Sequence, residues 1–341
     1  MSKIVALSPT RVDLAGGTLD LWPVHHLLEK KTTVNIAISL YSSIELSLSQ
    51  GSQYQVYSTD QGLSFSGNFD AVCRNQELPL LGLLISAFWD CKLPAISLRV
   101  TAQSPQGAGL GGSSSLAITI GGALSHLRQS LDGSPSLDEH ALVRTVRDVE
   151  SKLIRIPAGV QDYWAALRGG LNLLSYPFGG EQVLTLEPAH IKGLEEQALV
   201  CYSGQSRASA INNWEIFKRV FDGDKKVIDL FEEIGAAALD CAESAKKKDL
   251  TGLIQSSKRE WALRCKLWPG VETEKTRAID RAAVSKGALF TRVCGAGGGG
   301  AMLVLCPPDA KPLITKAIEQ EGGRILTTRW AEHGFKLVQD I

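Results

Sequence analysis

The chain has 341 residues, enough for two cores of ordinary size, and its 44% hydrophobic and 21% charged residues are a globular balance. Lys plus Arg and Asp plus Glu each number 36, so no global basic field exists for a nucleic acid or an anionic membrane, and a small diffusible substrate fits better. The first residues lack the pattern of a secretory signal and the apolar run around Leu78 to Trp89 is too short to span a bilayer, which makes the cytoplasm the expected location.

In chain order, a first strand leads into TRVDLAGGTLDLWP, residues 10–23. Arg11, Asp13 and Asp20 surround Gly16 and Gly17 there, a mixture suited to binding hydroxyl groups or, equally, to an ordinary surface turn. His25 and His26 are adjacent, without the spacing that puts two metal ligands on one face of a helix. Ile36, Ile38 and Leu40, then Ile44, Leu46 and Leu48, alternate with polar residues, and Ile96, Leu98 and Val100 repeat the pattern of half-buried antiparallel strands.

The strand ISLRVTA then enters PQGAGLGGSSSLAITIGGAL, residues 105–124, where a run of glycines opens into an apolar helix with three serines in its first turn. Glycines let backbone approach a ligand closely, and the free amides and dipole of a helix N-terminus attract phosphate. The serine hydroxyls add hydrogen bonds or an oxygen ligand for Mg²⁺; a flexible serine-capped loop is the plainer alternative. Gly107, Gly109 and Gly112 formally match GxGxxG, but the place for the acidic residue of a dinucleotide site is the turn LDGSP. A Walker A loop needs a lysine, and this segment has none.

Leu142, Val146, Val149 and Leu153 predict a helix behind a Ser136 cap, leading into IPAGVQD. Asp162 starts the next short helix, as its cap or as a functional carboxylate. The turn-rich PFGGEQ after Tyr176 is the expected boundary between domains 1–180 and 181–341. Beyond it come the strand ALVCYS, long charged helices between 208 and 286, the strands ALFTRV and AMLVLC, a helix from about Lys311, and GRILTT. Residues 295–300 contain five glycines, more than a hairpin needs, which implies close approach to a ligand or to another backbone, unless the run is only a tight turn. The seven cysteines include no CxxC pair and are expected to be reduced and mostly buried.

Taken in this order, the segments resemble the GHMP small-molecule kinases: galactokinase, homoserine kinase, mevalonate kinase and phosphomevalonate kinase. The likeness runs from Pro9 to Leu305, and PQGAGLGGSSSL is similar to the family's ATP-phosphate loop. The resemblance implies an α+β fold of two domains, the first of the ribosomal protein S5 domain 2-like type and the second ferredoxin-like, with ATP, Mg²⁺ and substrate in the cleft between them. It implies phosphate contacts from Pro105, Gly107, Ala108, Gly109, Leu110, Gly111, Gly112, Ser113, Ser114 and Ser115. The catalytic aspartate falls on Asp162 with Arg11 stabilising developing charge, and the metal falls on Glu150 with Ser113 or, alternatively, Ser114. Asp20, Gly16, Gly17, Gly297 and Gly298 are the implied substrate contacts.

RVDLAGG resembles the sugar-binding motif of the fucokinase and heptose 7-phosphate kinase branch, and YSGQSRAS resembles a segment of the latter. A sugar or sugar phosphate is therefore the implied substrate, with Arg207 either a contact to a substrate phosphate or a surface charge at a helix start. AGGTLD, GLGGSSSL and QDYW depart from that branch's AGGGTD, GLGSSSA and QDQY, so Leu19, Tyr163 and Trp164 leave the particular sugar open. A mevalonate-pathway kinase or decarboxylase of the same fold is the rival enzyme, and a catalytically silent binding protein is the rival from another class. The oligomeric state is left open, a homodimer included.

Overall fold

The computed structural model describes residues 3–135, 137–206 and 213–340. Strands β1 (Lys3–Ala15), β2 (Thr32–Leu48), β3 (Tyr54–Ser58), β4 (Leu63–Gly67), β5 (Ile96–Ala102), β6 (Leu171–Ser175) and β7 (Gln182–Leu186) belong to a first sheet. Strands β8 (Ala198–Tyr202), β9 (Phe290–Val293), β10 (Ala301–Leu305) and β11 (Arg324–Leu326) form a second, and β12 (Lys336–Asp340) returns to pair with β1. The first sheet runs β12-β1-β2-β5-β3-β4, with β6 on β2 and β7 on β6. Helices α1 (Phe69–Cys73), α2 (Pro79–Phe88), α3 (Gly112–Asp132), α4 (Glu139–Ile154) and α5 (Gln161–Arg168) follow in the first half. Helices α6 (Asn213–Phe221), α7 (Lys225–Lys246), α8 (Leu250–Leu267), α9 (Glu274–Ser285) and α10 (Lys311–Gln320) follow in the second.

The second sheet is antiparallel throughout in the order β11-β8-β10-β9, with helices between β8 and β9 and between β10 and β11. That β-α-β-β-α-β order is the ferredoxin-like arrangement. The two alternating stretches read as separate strands, around Ile36 and around Ile44, are one long strand, because both pair with β1 along its length. The register of that pairing slips between Pro9 and Thr10. Before the slip, Ile4, Ala6, Ile44 and Leu46 face a core shared with α2, α3 and α4; after it, Val12, Leu14, Val34 and Ile36 face a core shared with α7 and with Val200 and Leu303 of the second sheet. An irregularity of this kind exchanges the faces of a strand. It turns Arg11 toward α5, so Arg11 and Asp13 lie within β1 and not in a turn after it.

A third core on the second sheet gathers Ile279, Val293, Met302, Val304, Ile314 and Ile318. Helix α4 is capped by Asp138, whose carboxylate accepts the Ala141 amide at 2.7 Å; Ser136, the expected cap, lies outside the described residues. The PFGGEQ turn joins β6 to β7 as a hairpin of the first sheet. The cysteines are free, with Cys201, Cys241, Cys294 and Cys306 buried. No helix among the described residues is long and apolar enough to cross a membrane.

Candidate active site

Residues 103–111 carry the chain from β5 to α3, and Gly107, Gly109 and Gly111 take left-handed φ angles of 67°, 74° and 73°. At Gly109 a side chain is excluded twice, by φ and because a Cβ would stand 2.6 Å from the Cys294 carbonyl oxygen. Left-handed residues alternating along a loop turn its amides into an anion-binding concavity. No side chain caps α3, so its first amides remain free for the same ligand.

The second glycine run supports this loop from behind. Gly300 leaves room for the Ala108 carbonyl, which accepts the Ala301 amide at 2.6 Å. Close approach to another backbone is thus what these glycines permit. Gly297 and Gly298 sit against Val271, with the Gly298 amide donating to its carbonyl at 2.9 Å, and the cleft wall here is Gly295 and Ala296 instead.

A cleft of about 400 Å³ brings together Arg11, Asp20, Pro105, the loop from Gly107 to Ser114, Glu150 and Asp162. Arg11 Nε and Nη2 both reach Asp162 Oδ1 at 2.7 Å, and Nη1 donates to the Gly109 carbonyl at 2.7 Å. One guanidinium therefore ties the carboxylate at the start of α5 to the glycine loop. Burial works against the Arg11 charge, but Asp13 and Asp162 outweigh it and raise its pKa. Asp20 accepts the Thr18 amide at 3.2 Å and the Gln161 amide at 3.1 Å. Burial, then repulsion from Asp162, pushes its carboxyl up to about 6.

Glu150 is buried on α4 and accepts the Ser114 hydroxyl at 2.7 Å; burial raises its pKa, with Ser114, Ser113 and Tyr163 working against that rise. Ser113 is the exposed member of the serine cluster. Ser115 turns inward and donates to the Ser8 carbonyl at 2.9 Å, tying α3 to β1 away from the cleft. The hydroxyl of Ser113 and the carboxylate of Glu150 are hard oxygen donors that suit Mg²⁺, which keeps its other positions for phosphate oxygens and water. Among the described residues no group of three or more His, Cys, Asp or Glu gathers to hold a metal. Gly16 donates its amide to Glu260 at 3.0 Å, and Gly17 makes room for Arg264, whose Nη1 would stand 2.7 Å from a Cβ there. Arg207 lies outside the described residues.

Behind the cleft lies a buried ionic layer in which Arg11 and Asp13 meet Glu260, Arg264 and Arg292, three residues that the sequence patterns did not single out. Asp13 accepts the Gly295 amide at 2.6 Å and meets Arg11 Nε at 3.4 Å. Glu260 pairs with Arg292 at 3.0 Å with both side chains fully buried. Burial raises the Asp13 carboxyl, but Arg11, Arg292, Arg264 and the Gly295 amide together hold it below its usual value. A signal for the layer exists in α8. Leu253, Ser257, Glu260, Arg264 and Leu267 recur every three or four residues, so a carboxylate and a guanidinium occupy its buried stripe.

The chain matches the GHMP kinases N terminal domain over residues 80–170 and the GHMP kinases C terminal domain over residues 241–324. It belongs to the GHMP kinases, which phosphorylate small molecules with ATP as donor. It is 25% identical over 353 residues to the D-glycero-alpha-D-manno-heptose 7-phosphate kinase of Campylobacter jejuni, covering 98% of this chain and 99% of that one. It is also 25% identical over 361 residues to the mevalonate kinase of Pyrococcus furiosus, with 99% of each covered. The crystal structure of Lactococcus lactis galactokinase complexed with galactose shares the fold, with a TM-score of 0.75 at 15% identity over 98% of this chain and 95% of that one.

Proposed function

We propose that this kinase transfers the γ-phosphoryl group of ATP to a hydroxyl of a sugar or sugar phosphate. The carrying observation is the Arg11–Asp162 pair at 2.7 Å, facing the same cleft as the glycine loop and Asp20. In this reading ATP lays its phosphates along Gly107 to Ser114. Asp162 takes the proton of the acceptor hydroxyl as that oxygen bonds to the γ-phosphorus and the bond to the bridging oxygen breaks, releasing ADP. Arg11 offers fixed positive charge to the transferring group, a stabilisation that works best where the donors are already in place. Asp20 holds acceptor hydroxyls. Ser113 and Glu150 would hold Mg²⁺, which supplies charge neutralisation on the phosphates when bound.

The sugar acceptor is supported by the likeness to the heptose 7-phosphate kinase over nearly the whole chain. The equal identity to a mevalonate kinase sustains an isoprenoid acid as the second reading. We also propose residues 1–180 and 181–341 as the two kinase domains, with β7 and β12 crossing the divide to complete the first sheet. An ATP-consumption screen across sugars, sugar phosphates, homoserine and mevalonates, with products identified by mass spectrometry, separates these acceptors; carbon dioxide release or phosphorylation of an isoprenoid acid alone would remove the sugar reading.

A further inference from the structure

Arg264 reaches the cleft from α8 and is only 2% exposed. Its Nη2 donates to the Gly295 carbonyl at 2.7 Å, which fixes the plane of the guanidinium. Its Nη1 has no hydrogen-bond partner among the described residues. Nor is any carboxylate among them within ion-pair distance, whereas Arg11 pairs with Asp13 and Asp162, and Arg292 with Glu260. Asp13 supplies counter-charge at longer range, but a buried donor left open is costly unless something supplies the acceptor, so an orphan of this kind points to a ligand.

The orphan nitrogen lies on the acceptor side of the cleft. Its neighbours around Gly17 are the Gln161 side chain and Asp13 Oδ2, and Gln161 precedes Asp162 and gives its amide to Asp20. The same cavity wall carries Thr18, Asp20 and Phe217. Gly17 leaves room for the guanidinium itself, since a side chain there would collide with Nη1. A guanidinium held flat by one hydrogen bond, with a second nitrogen free, suits the planar or tetrahedral oxygens of an oxyanion better than a neutral hydroxyl.

We propose that Arg264 binds an anionic group, phosphate or carboxylate, carried by the acceptor substrate. This rests on the acceptor-kinase reading above and narrows it: the acceptor is charged, and a neutral sugar fills the site poorly. A phosphorylated sugar and an isoprenoid acid share that chemistry, and the test separates them.

Steady-state kinetics of the full chain with matched neutral and phosphorylated sugars, and with mevalonate, are compared between wild type and Arg264→Gln. The expected result is a KM for the anionic acceptor raised roughly ten- to hundredfold, with the KM for ATP unchanged and Arg264→Lys intermediate. Inorganic phosphate should inhibit the wild type in competition with the acceptor and not with ATP, a readout that needs no variant to fold. Phosphate that competes only with ATP, or a variant that weakens neutral and anionic acceptors alike, overturns the assignment. A wild type that turns over only neutral sugars, unaffected by Arg264→Gln, also overturns it while leaving the sugar reading intact. Turnover of mevalonate alone, with its KM raised in the variant, would uphold Arg264 and remove the sugar reading.

Discussion

Arg11 Nε and Nη2 converge on one oxygen of Asp162 at 2.7 Å, across 151 positions of sequence, while Nη1 of the same side chain holds the Gly109 carbonyl. The pair therefore fixes two things at once, the direction of the carboxylate and the position of the phosphate loop. Lysine carries the charge but cannot make this fork. Arg11→Lys is predicted to lower kcat by at least about tenfold, and Arg11→Ala to cost about 3 kcal/mol of stability as well, because it leaves Asp13 buried beside a lost partner. Thermal melts and turnover measured together test this; an Arg11→Lys enzyme with wild-type kcat would show that charge alone suffices.

Gly109 and Gly62 separate backbone conformation from steric contact. Both have positive φ, 74° and 65°, but a Cβ on Gly109 meets the Cys294 carbonyl oxygen while one on Gly62 meets nothing within 4 Å. Gly62→Ala should cost about 1 kcal/mol from conformation alone, and Gly109→Ala more, together with a raised KM for ATP. Equal losses and unchanged ATP kinetics would remove Gly109 from the phosphate-binding account.

The serines of α3 divide by direction. Ser113 is exposed beside Glu150, whereas Ser115 is spent on the Ser8 carbonyl. Ser113→Ala and Glu150→Gln are predicted to raise the Mg²⁺ concentration needed for half-maximal activity. Ser115→Ala should leave it unchanged and lower stability by about 1 kcal/mol. A Mg²⁺ titration of the three variants decides between this division and a purely structural role for all of them.

Asp20 links pH to both stability and binding. It titrates near 3.8 when free and is pushed up to about 6 in the fold, so between those values the folded chain binds more protons than the unfolded one. Its contribution to stability therefore falls as pH rises through that window and is constant above it. Asp20→Asn removes this dependence, so the stability of the variant relative to wild type should improve from the bottom of the window to the top and then level off. Acceptor KM in the wild type should rise as pH drops below about 6, where the carboxylate is lost. Parallel stability curves for the two proteins across the window would refute the assignment.

What the sequence displayed was local. The strand, glycine run, serine cluster and helix around Gly107 to Ser115 are contiguous, so the proposal of an anion site there needs no knowledge of the fold. Asp162 could not be told from a helix cap by its neighbours, since its partner Arg11 comes from a strand that only the fold brings near. Composition alone cannot say which side of the loop at Gly297 and Gly298 meets a ligand and which meets Val271. Asp138 caps α4, standing three residues before the amide it receives. Arg264 was hidden among the surface charges of α8, although its place on the buried stripe marked it as unusual.

The most direct measurement is product analysis of wild type and Asp162→Asn incubated with Mg-ATP and a panel of sugars and sugar phosphates. The wild type should convert one of them to a product heavier by a single phosphoryl group, with ADP formed in equal amount. The variant should bind ATP as tightly and react at least about a hundredfold more slowly, since proton abstraction contributes that much. A folded variant turning over at a near-wild-type rate, or a wild type that phosphorylates no sugar at all, would contradict it.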